Sequence, residues 1–304
     1  MPTRPSGSSA RALVVGDVMT DIICKPEGPL VIGSDRRATI RSHPGGSGAN
    51  QGVWLAAFGV AVRFAARVGA GDVAYFNAQF AGLGVEPRLA ADPVLASGAL
   101  VTIVDPDGER SFLTDRGANA GLSIEDLPDA LLDAVEALVI SGYSLFEPGP
   151  RAAVMRLMAA AGEHGIPVSI DPASVGFLTE VGPANFLGWT RQATTIFANE
   201  AEAATLTGEI LAAAQIKALH QTYRRVVLKR GADGAILSNG TQPVIALPAP
   251  KVAVVDTTGA GDAFAAAFIA AELDGKGPEA CLRRAIAAGA DAVQRLGGQP
   301  RGRQ

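Results

Sequence analysis

Short, almost purely apolar runs recur along this chain and alternate with longer segments whose apolar positions return every third or fourth residue. The runs at 12–16, 61–68, 137–141, 166–170, 194–198 and 224–229 are bounded by glycine, proline or charge and predict strands covered on both faces. Segments 48–58, 73–83, 150–164 and 199–207 predict helices. The first puts Val53, Trp54 and Ala57 on one face and stops at Gly59; the second stops at Gly84. Strands joined by helix-length segments imply right-handed crossovers, hence a mostly parallel sheet between two helical layers. Two stretches break the alternation. A strand at 18–24 leads into a region rich in Gly, Pro and charge, 25–44, which contains the alternating Ala38-Thr39-Ile40-Arg41. Residues 98–115 read as a hairpin, 99–104 and 109–114 about Asp105-Pro106-Asp107-Gly108. These pieces do not fit a parallel sheet and predict a small β lid, near 18–44 and 98–115, inserted into one α/β domain at 11–300. Residues 1–10 and 301–304 read as flexible tails.

The richest segment for chemistry is Asp256-Thr257-Thr258-Gly259-Ala260-Gly261-Asp262. It follows Val252-Ala253-Val254-Val255, an expected buried strand, and precedes an expected helix at 263–271. Two glycines in a tight strand-to-helix turn let backbone N–H groups point at a ligand, and a helix start favours an anion, phosphate above all. A carboxylate there repels phosphate. Asp262 is therefore either a first-turn residue complementing the helix dipole or a base that takes a proton from a hydroxyl nucleophile.

Other motifs carry two readings as well. Gly45-Gly46-Ser47-Gly48-Ala49-Asn50 either lets backbone and the Asn50 amide reach a substrate or is a glycine loop with Ser47 as N-cap. Asn199 and Glu202, three apart, share a helix face and fit a capping box. Lys229-Arg230-Gly231-Ala232-Asp233-Gly234 fits a hairpin turn with its charges in solvent. Asp21 is a strand-end carboxylate, and Asp256 could cap the turn that follows it.

With 48% hydrophobic residues in 304, the chain can bury a sizeable core, and its 36 glycines suit many tight turns. A net charge of −4 gives no general attraction for nucleic acid, so any anion must be held locally. Two cysteines, Cys24 and Cys281, make no disulfide framework, and His43, His164 and His220 lack metal-ligand spacing. The first apolar run is broken by Asp17 and Asp21, too short for a signal peptide or membrane span. A soluble, cytoplasmic protein with no membrane partner is the expectation.

Asp256–Asp262 continuing into Ala263-Phe264 resembles the C-terminal signature of the ribokinase-like (PfkB) carbohydrate and nucleoside kinases. Gly45-Gly46-Ser47-Gly48-Ala49-Asn50-Gln51-Gly52, running on to Phe58-Gly59, is similar to the N-terminal one, and the pair lies in the family's order. The resemblance implies a ribokinase-like three-layer α/β/α domain with a β lid, acting with ATP and Mg2+ on a primary hydroxyl of a small-molecule sugar or nucleoside. It implies Asp262 as base and Gly259, Ala260 and Gly261 as stabilisers of the phosphoryl group in transit. Asp21, Gly45, Gly46 and Asn50 would hold the acceptor, and Asn199, Lys229, Gly231 and Gly234 the nucleotide. Glu202 would reach magnesium through water. Asp256 and Thr258 would frame a monovalent cation, K+ in many members. Exposed lid edges would suit a homodimer.

Two departures bear on the acceptor. Ribokinase has an asparagine where this chain has Met19, and a ribose-holding glutamate where it has Tyr143, so strict ribose specificity is not expected. Asp171-Pro172-Ala173-Ser174 lacks the arginine of ketodeoxygluconate kinases, which argues against a sugar acid. The first βα turn, Gly16-Asp17-Val18-Met19, is not Gly-x-Gly-x-x-Gly, which argues against a dinucleotide-dependent oxidoreductase. A non-catalytic sugar- or nucleotide-sensing homologue is the remaining rival, and an intact Asp262 counts against it.

Overall fold

The pleat of the first strand sets the layering. β1 (Ala12–Val15) is buried throughout, Ala12 and Val14 in one hydrophobic core and Leu13 and Val15 in the other. The computed structural model describes residues 11–105, 110–241 and 243–300. The expected tails and the turn residues Pro106, Asp107 and Gly108 lie outside the described residues.

The strands that follow are β2 (Met19–Pro26), β3 (Ala38–Gly45), β4 (Val62–Gly69), β5 (Val85–Asp92), β6 (Gly98–Val104) and β7 (Arg110–Asp115). After them come β8 (Ala137–Ser141), β9 (Val168–Asp171), β10 (Thr195–Asn199), β11 (Arg225–Lys229), β12 (Ala235–Ser238) and β13 (Ile245–Leu247). The helices are α1 (Ser47–Ala57), α2 (Val73–Gly82), α3 (Pro148–Glu163), α4 (Val175–Val181) and α5 (Pro183–Trp189). α6 (Glu200–Thr207), α7 (Ala212–Leu219), α8 (Ala260–Leu273) and α9 (Pro278–Ala292) complete them.

The large sheet has nine strands in the order β13-β12-β11-β10-β9-β8-β1-β4-β5. It is parallel from β11 to β5, and only the β11-β12-β13 edge is antiparallel. α1, α2, α8 and α9 cover one face, and α3 to α7 the other. The expected α/β class with a mostly parallel sheet is what the chain adopts. The smaller sheet, β3-β2-β6-β7, has a parallel β2–β6 pair at its centre and antiparallel pairs on either side.

One expectation fails. Val252-Ala253-Val254-Val255 is not a strand, and Val254 and Val255 are 64% and 53% exposed. The sheet edge that this run would have joined is already taken by the β12–β13 hairpin. The run therefore crosses outside the sheet, held at its end by Val255 and Asp256 amides donating to the Val293 carbonyl. β5, α4, α5, α7, α9 and the short edge pair β12–β13 had no counterpart among the expected elements.

At the end of β1 the chain leaves almost no room. A Cβ on Gly16 would lie 2.5 Å from the Cα of Gly48, and one on Gly48 would lie 2.5 Å from the Cα of Gly16. Two glycines let α1 start directly against the end of β1, backbone on backbone. Gly16→Ala should therefore destabilise by about 1–3 kcal/mol, the usual cost of overpacking where neither neighbour can yield. A denaturant midpoint equal to wild type would show that the contact is not tight.

Candidate active site

β11, β10, β9, β8 and β1 lie side by side, and each ends in, or runs within two residues into, a polar residue: Lys229, Asn199, Asp171, Tyr143 and Asp17. α1, after β1, packs in one layer and α3, after β8, in the other, so the winding reverses between these neighbours. The crevice outside the carboxyl ends at such a reversal is where open α/β sheets take ligands. α8 brings its start to the same place. Gly259, at φ +72°, opens the helix without a side-chain cap, and the amides of Gly261 and Asp262 meet no acceptor among the described residues. Free amides at a helix start form an anion cradle.

Asp262 is buried and does not cap its own helix. Its Oδ1 accepts from Ser47 Oγ at 2.7 Å and Gln51 Nε2 at 3.2 Å, and its Oδ2 from Asn50 Nδ2 at 3.0 Å. Those three donors stand at i, i+3 and i+4, one face of the first turns of α1. Burial pushes the Asp262 carboxyl up to about 7, the negative charge of Asp171 adds to the rise, and the three donors oppose it. A group able to take a proton near neutral pH thus stands beside two unpaired amides. Ser47 is not an N-cap either, since α1 starts from Gly46 with no side-chain cap.

Asp21 sits in the middle strand pair of the lid, opposite His43 and Leu100. A Cβ on Gly45 would come within 2.3 Å of its carboxyl group, so the glycine makes the space that the carboxyl fills. Burial, then the negative charges of Asp17 and Asp256, raise Asp21 to about 6. Asp21 Oδ1, Asn50 Oδ1 and Gln51 Oε1 are buried acceptors with no donor. Such atoms are costly unless a ligand hydroxyl or water supplies the proton.

At the other end of the crevice Lys229 is not in solvent. Its side chain is 14% exposed and its Nζ donates to Asp171 Oδ2 at 2.7 Å. Burial opposes its charge, but Asp171 and Glu202 facing it carry its pKa above the ordinary lysine value. Asn199 and Glu202 do form the capping box: the Glu202 amide donates to Asn199 Oδ1 and the Asn199 amide to Glu202 Oε2, both at 2.8 Å. Glu202 is 4% exposed, and burial raises its pKa against the pull of Lys229. Gly231 and Gly234 make the β11–β12 turn, where a Cβ on Gly234 would lie 1.9 Å from the Leu247 carbonyl oxygen. Packing alone demands that second glycine. Asp256 accepts from the Thr258 amide at 3.0 Å and its Oγ1 at 2.8 Å, and from the Gly297 amide at 3.1 Å, tying the turn before α8 to the C-terminal segment.

Several site residues carry little or no signal in the sequence. Asp17, 3% exposed, accepts from the Gly48 amide and Ser141 Oγ, both at 3.1 Å, and from Arg116 at 3.3 Å. Arg116 in turn lies over the Tyr143 ring, 5.2 Å from its centroid, and donates to the Tyr143 carbonyl. Asp17 follows a wholly apolar strand and Asp171 closes one broken only by Ser169, the one local hint of their place. Ser47 and Gln51 share the helical face of Asn50. Arg116 has no local signal.

A proton acceptor beside an anion cradle, with buried acceptors waiting for hydroxyl donors, defines the class: an enzyme that moves a phosphoryl group onto an alcohol. The chain matches the pfkB family carbohydrate kinases over residues 9–302 and belongs to that family. It is 30% identical to a ribokinase of Bacillus subtilis over 89% of this chain and 91% of that protein. It is also 30% identical to an ATP-dependent ribose-1-phosphate kinase of Halopiger xanaduensis, over 94% and 93%. The structure of Arabidopsis thaliana ribokinase complexed with ribose and ATP superposes with a TM-score of 0.79 at 26% identity, covering 95% of this chain and 94% of that one.

Buried carboxyls with raised values make stability depend on pH. Asp262 and Asp21 have folded-state values above the ordinary carboxylate range, so the stability linked to them is complete in acid and is lost as pH rises through about 6 to 7. The unliganded protein should melt progressively lower between about pH 4 and about pH 7, and Asp262→Asn should flatten that decline. Melting curves of the two proteins that fall in parallel would contradict the assignment.

Proposed function

We propose that this chain is a cytoplasmic kinase that uses ATP carried with Mg2+ to phosphorylate a primary hydroxyl of a sugar or nucleoside. The observation that carries the reading is Asp262: a buried carboxyl poised near neutral pH, held by three side chains of α1 and set beside the free amides of Gly261 and Asp262 itself. Asp262 takes the proton of the acceptor hydroxyl as its oxygen attacks phosphorus, and the α8 amides donate to the phosphoryl oxygens and stabilise their charge. Asp21 and Asn50, with unpaired buried acceptors, hold neighbouring hydroxyls of the acceptor, and Gly45 and Gly46 make the room in which the Asp21 carboxyl and the backbone of Asp17 and Met19 pack. The four-stranded lid excludes water.

The donor set fits a metal held mainly by phosphates. Among the described residues no group of three or more His, Cys, Asp or Glu could hold a metal ion, and Glu202 is the one expected metal-facing carboxyl at the nucleotide end. Glu202 would reach magnesium through water, Asn199 and Lys229 would meet the phosphates, and Gly231 would lie along the nucleotide. Bound Mg2+ would supply positive charge against the phosphates.

Met19 and Tyr143 favour an acceptor other than ribose. Met19 is 4% exposed, with its sulfur 3.5 Å from Asn119 Nδ2. Tyr143 lies under the Arg116 guanidinium and edge-on to Phe146 and Phe177, and burial, aided by the charges of Asp17, Asp171 and Asp262, pushes its pKa up. Met19 offers none of the hydrogen bonds of a ribose-reading asparagine, and the single Tyr143 hydroxyl does not match the two acceptor oxygens of a glutamate. Among the described residues no helix is long and apolar enough to cross a membrane. The lid edges β3 and β7 carry exposed Ile40, Phe112 and Leu113, which suit pairing of two copies through the lid.

The test is a coupled ADP-release assay over ribose, ribose 1-phosphate, fructose, adenosine, other nucleosides and ketodeoxygluconate, run on wild type and Asp262→Asn. Turnover of at least one acceptor is expected, with ribose not far ahead of the rest. The variant should stay folded and bind ATP, with kcat lowered by at least about 10². Retention of more than about a tenth of wild-type kcat would remove Asp262 from the mechanism. If Asp256 and Thr258 frame a monovalent cation, replacing sodium by potassium at fixed ionic strength should raise the rate. Equal rates in sodium, potassium and cesium would leave Asp256 as the tie between the turn and Gly297.

A further inference from the structure

Lys229 stands where a loop residue lying along a nucleotide would not. It closes β11, and its side chain runs over the end of β10 to reach Asp171 at the end of β9, two strands away in the sheet. At about 4.8 Å between strands that crossing needs nearly the whole length of a lysine. The ammonium ends under the start of α8: a Cβ on Gly261 would lie 3.2 Å from Nζ. Gly261 is also one of the two residues whose amides meet no acceptor. Ammonium and free amides therefore converge on one small volume. An ammonium has three donors, and the bond to Asp171 uses one.

Charge points the same way. Asp171, Glu202 and Asp262 all face Lys229, and the other cation of the crevice, Arg116, is held at Asp17. Without Lys229, the only side-chain charges that a phosphoryl group would meet at this end are carboxylates.

We propose that Lys229 is a catalytic residue: its ammonium, with the Gly261 and Asp262 amides, contacts the phosphoryl group in transit, and Asp171 positions it there. The proposal rests on the phosphotransfer reading. In the step, the acceptor oxygen bonds to phosphorus as the bond from phosphorus to the bridging oxygen of ADP breaks. The electron pair leaves on ADP, the hydroxyl proton goes to Asp262, and Lys229 neither gains nor loses a proton. Its fixed positive charge works on the three equatorial oxygens over which charge is spread as the group passes between donor and acceptor.

The experiment compares wild type with Lys229→Met, Lys229→Arg and the double variant Lys229→Met/Asp171→Asn. For each it measures kcat, KM for ATP, the melting temperature, and the affinity for Mg-ADP with and without aluminium fluoride in the presence of an acceptor that wild type turns over. Lys229→Met should lower kcat by at least about 10², leave KM for ATP and ADP affinity close to wild type, and lose the tightening that aluminium fluoride gives. Lys229→Arg should recover part of kcat. The double variant removes both buried charges, so it should regain any lost melting temperature and stay slow. A raised KM with kcat intact would make Lys229 a ground-state nucleotide contact and overturn the proposal. Recovery of kcat in the double variant would reduce Lys229 to neutralising Asp171 and overturn the proposal equally. Wild-type turnover separates the two levels: a wild type inactive on every acceptor sinks the phosphotransfer reading and this proposal with it, whereas an active wild type with an active Lys229→Met sinks this proposal alone.

Discussion

The site exists because two helices begin at the same point over the end of the sheet, and backbone contact is what brings them there. Gly16 and Gly48 put the start of α1 against the end of β1, and Gly259 packs on Gly298 at the start of α8. With both helix starts fixed, three side chains of α1 reach the first-turn carboxylate of α8, and the α8 amides are left free beside it. A side chain at either glycine contact would push one helix back. The hydrogen bonds between Asp262 and Ser47, Asn50 and Gln51 would then lengthen, and the cradle would no longer face the carboxyl ends of β9 and β11.

The same convergence makes the crevice electrostatically expensive. Asp17, Asp21, Asp171, Glu202, Asp256 and Asp262 are all at most 9% exposed. Two cations, Lys229 and Arg116, face them, one at each end. Burial and mutual repulsion hold Asp21, Glu202 and Asp262 above their ordinary values, a cost in stability of the kind that functional sites carry. The charges pair at opposite ends of the crevice. Arg116 and Asp17 meet near Tyr143, and Lys229 and Asp171 meet under the start of α8.

Much of this is legible in the chain itself. The apolar runs of β1, β4, β8, β10 and β11 and the helices α1 and α8 follow from hydrophobic periodicity and glycine stops. The glycine-rich motifs announce both helix starts. The apolar run at 252–255 misleads because hydrophobicity says that a segment is strand-like, whereas membership of a sheet needs a free neighbouring edge, and β12 and β13 have taken it. The capping box of Asn199 and Glu202 follows from spacing, since the partners are three residues apart. Asp171 and Lys229 meet from 58 residues apart and Arg116 and Asp17 from 99, pairings that only the folded topology creates. The turn at Gly234 shows the converse, a glycine in a ligand-like motif that the Leu247 carbonyl alone would require.

On the proposed mechanism the phosphoryl group crosses the small space between Asp262, the α8 amides and Lys229. A crystal structure with ADP, magnesium, aluminium fluoride and a turned-over acceptor tests this most directly. Aluminium fluoride is expected within hydrogen-bonding distance of the Gly261 and Asp262 amides, with one acceptor hydroxyl on the Asp262 carboxylate. Aluminium fluoride seated away from the start of α8, or an acceptor whose hydroxyls do not reach Asp262, would contradict it.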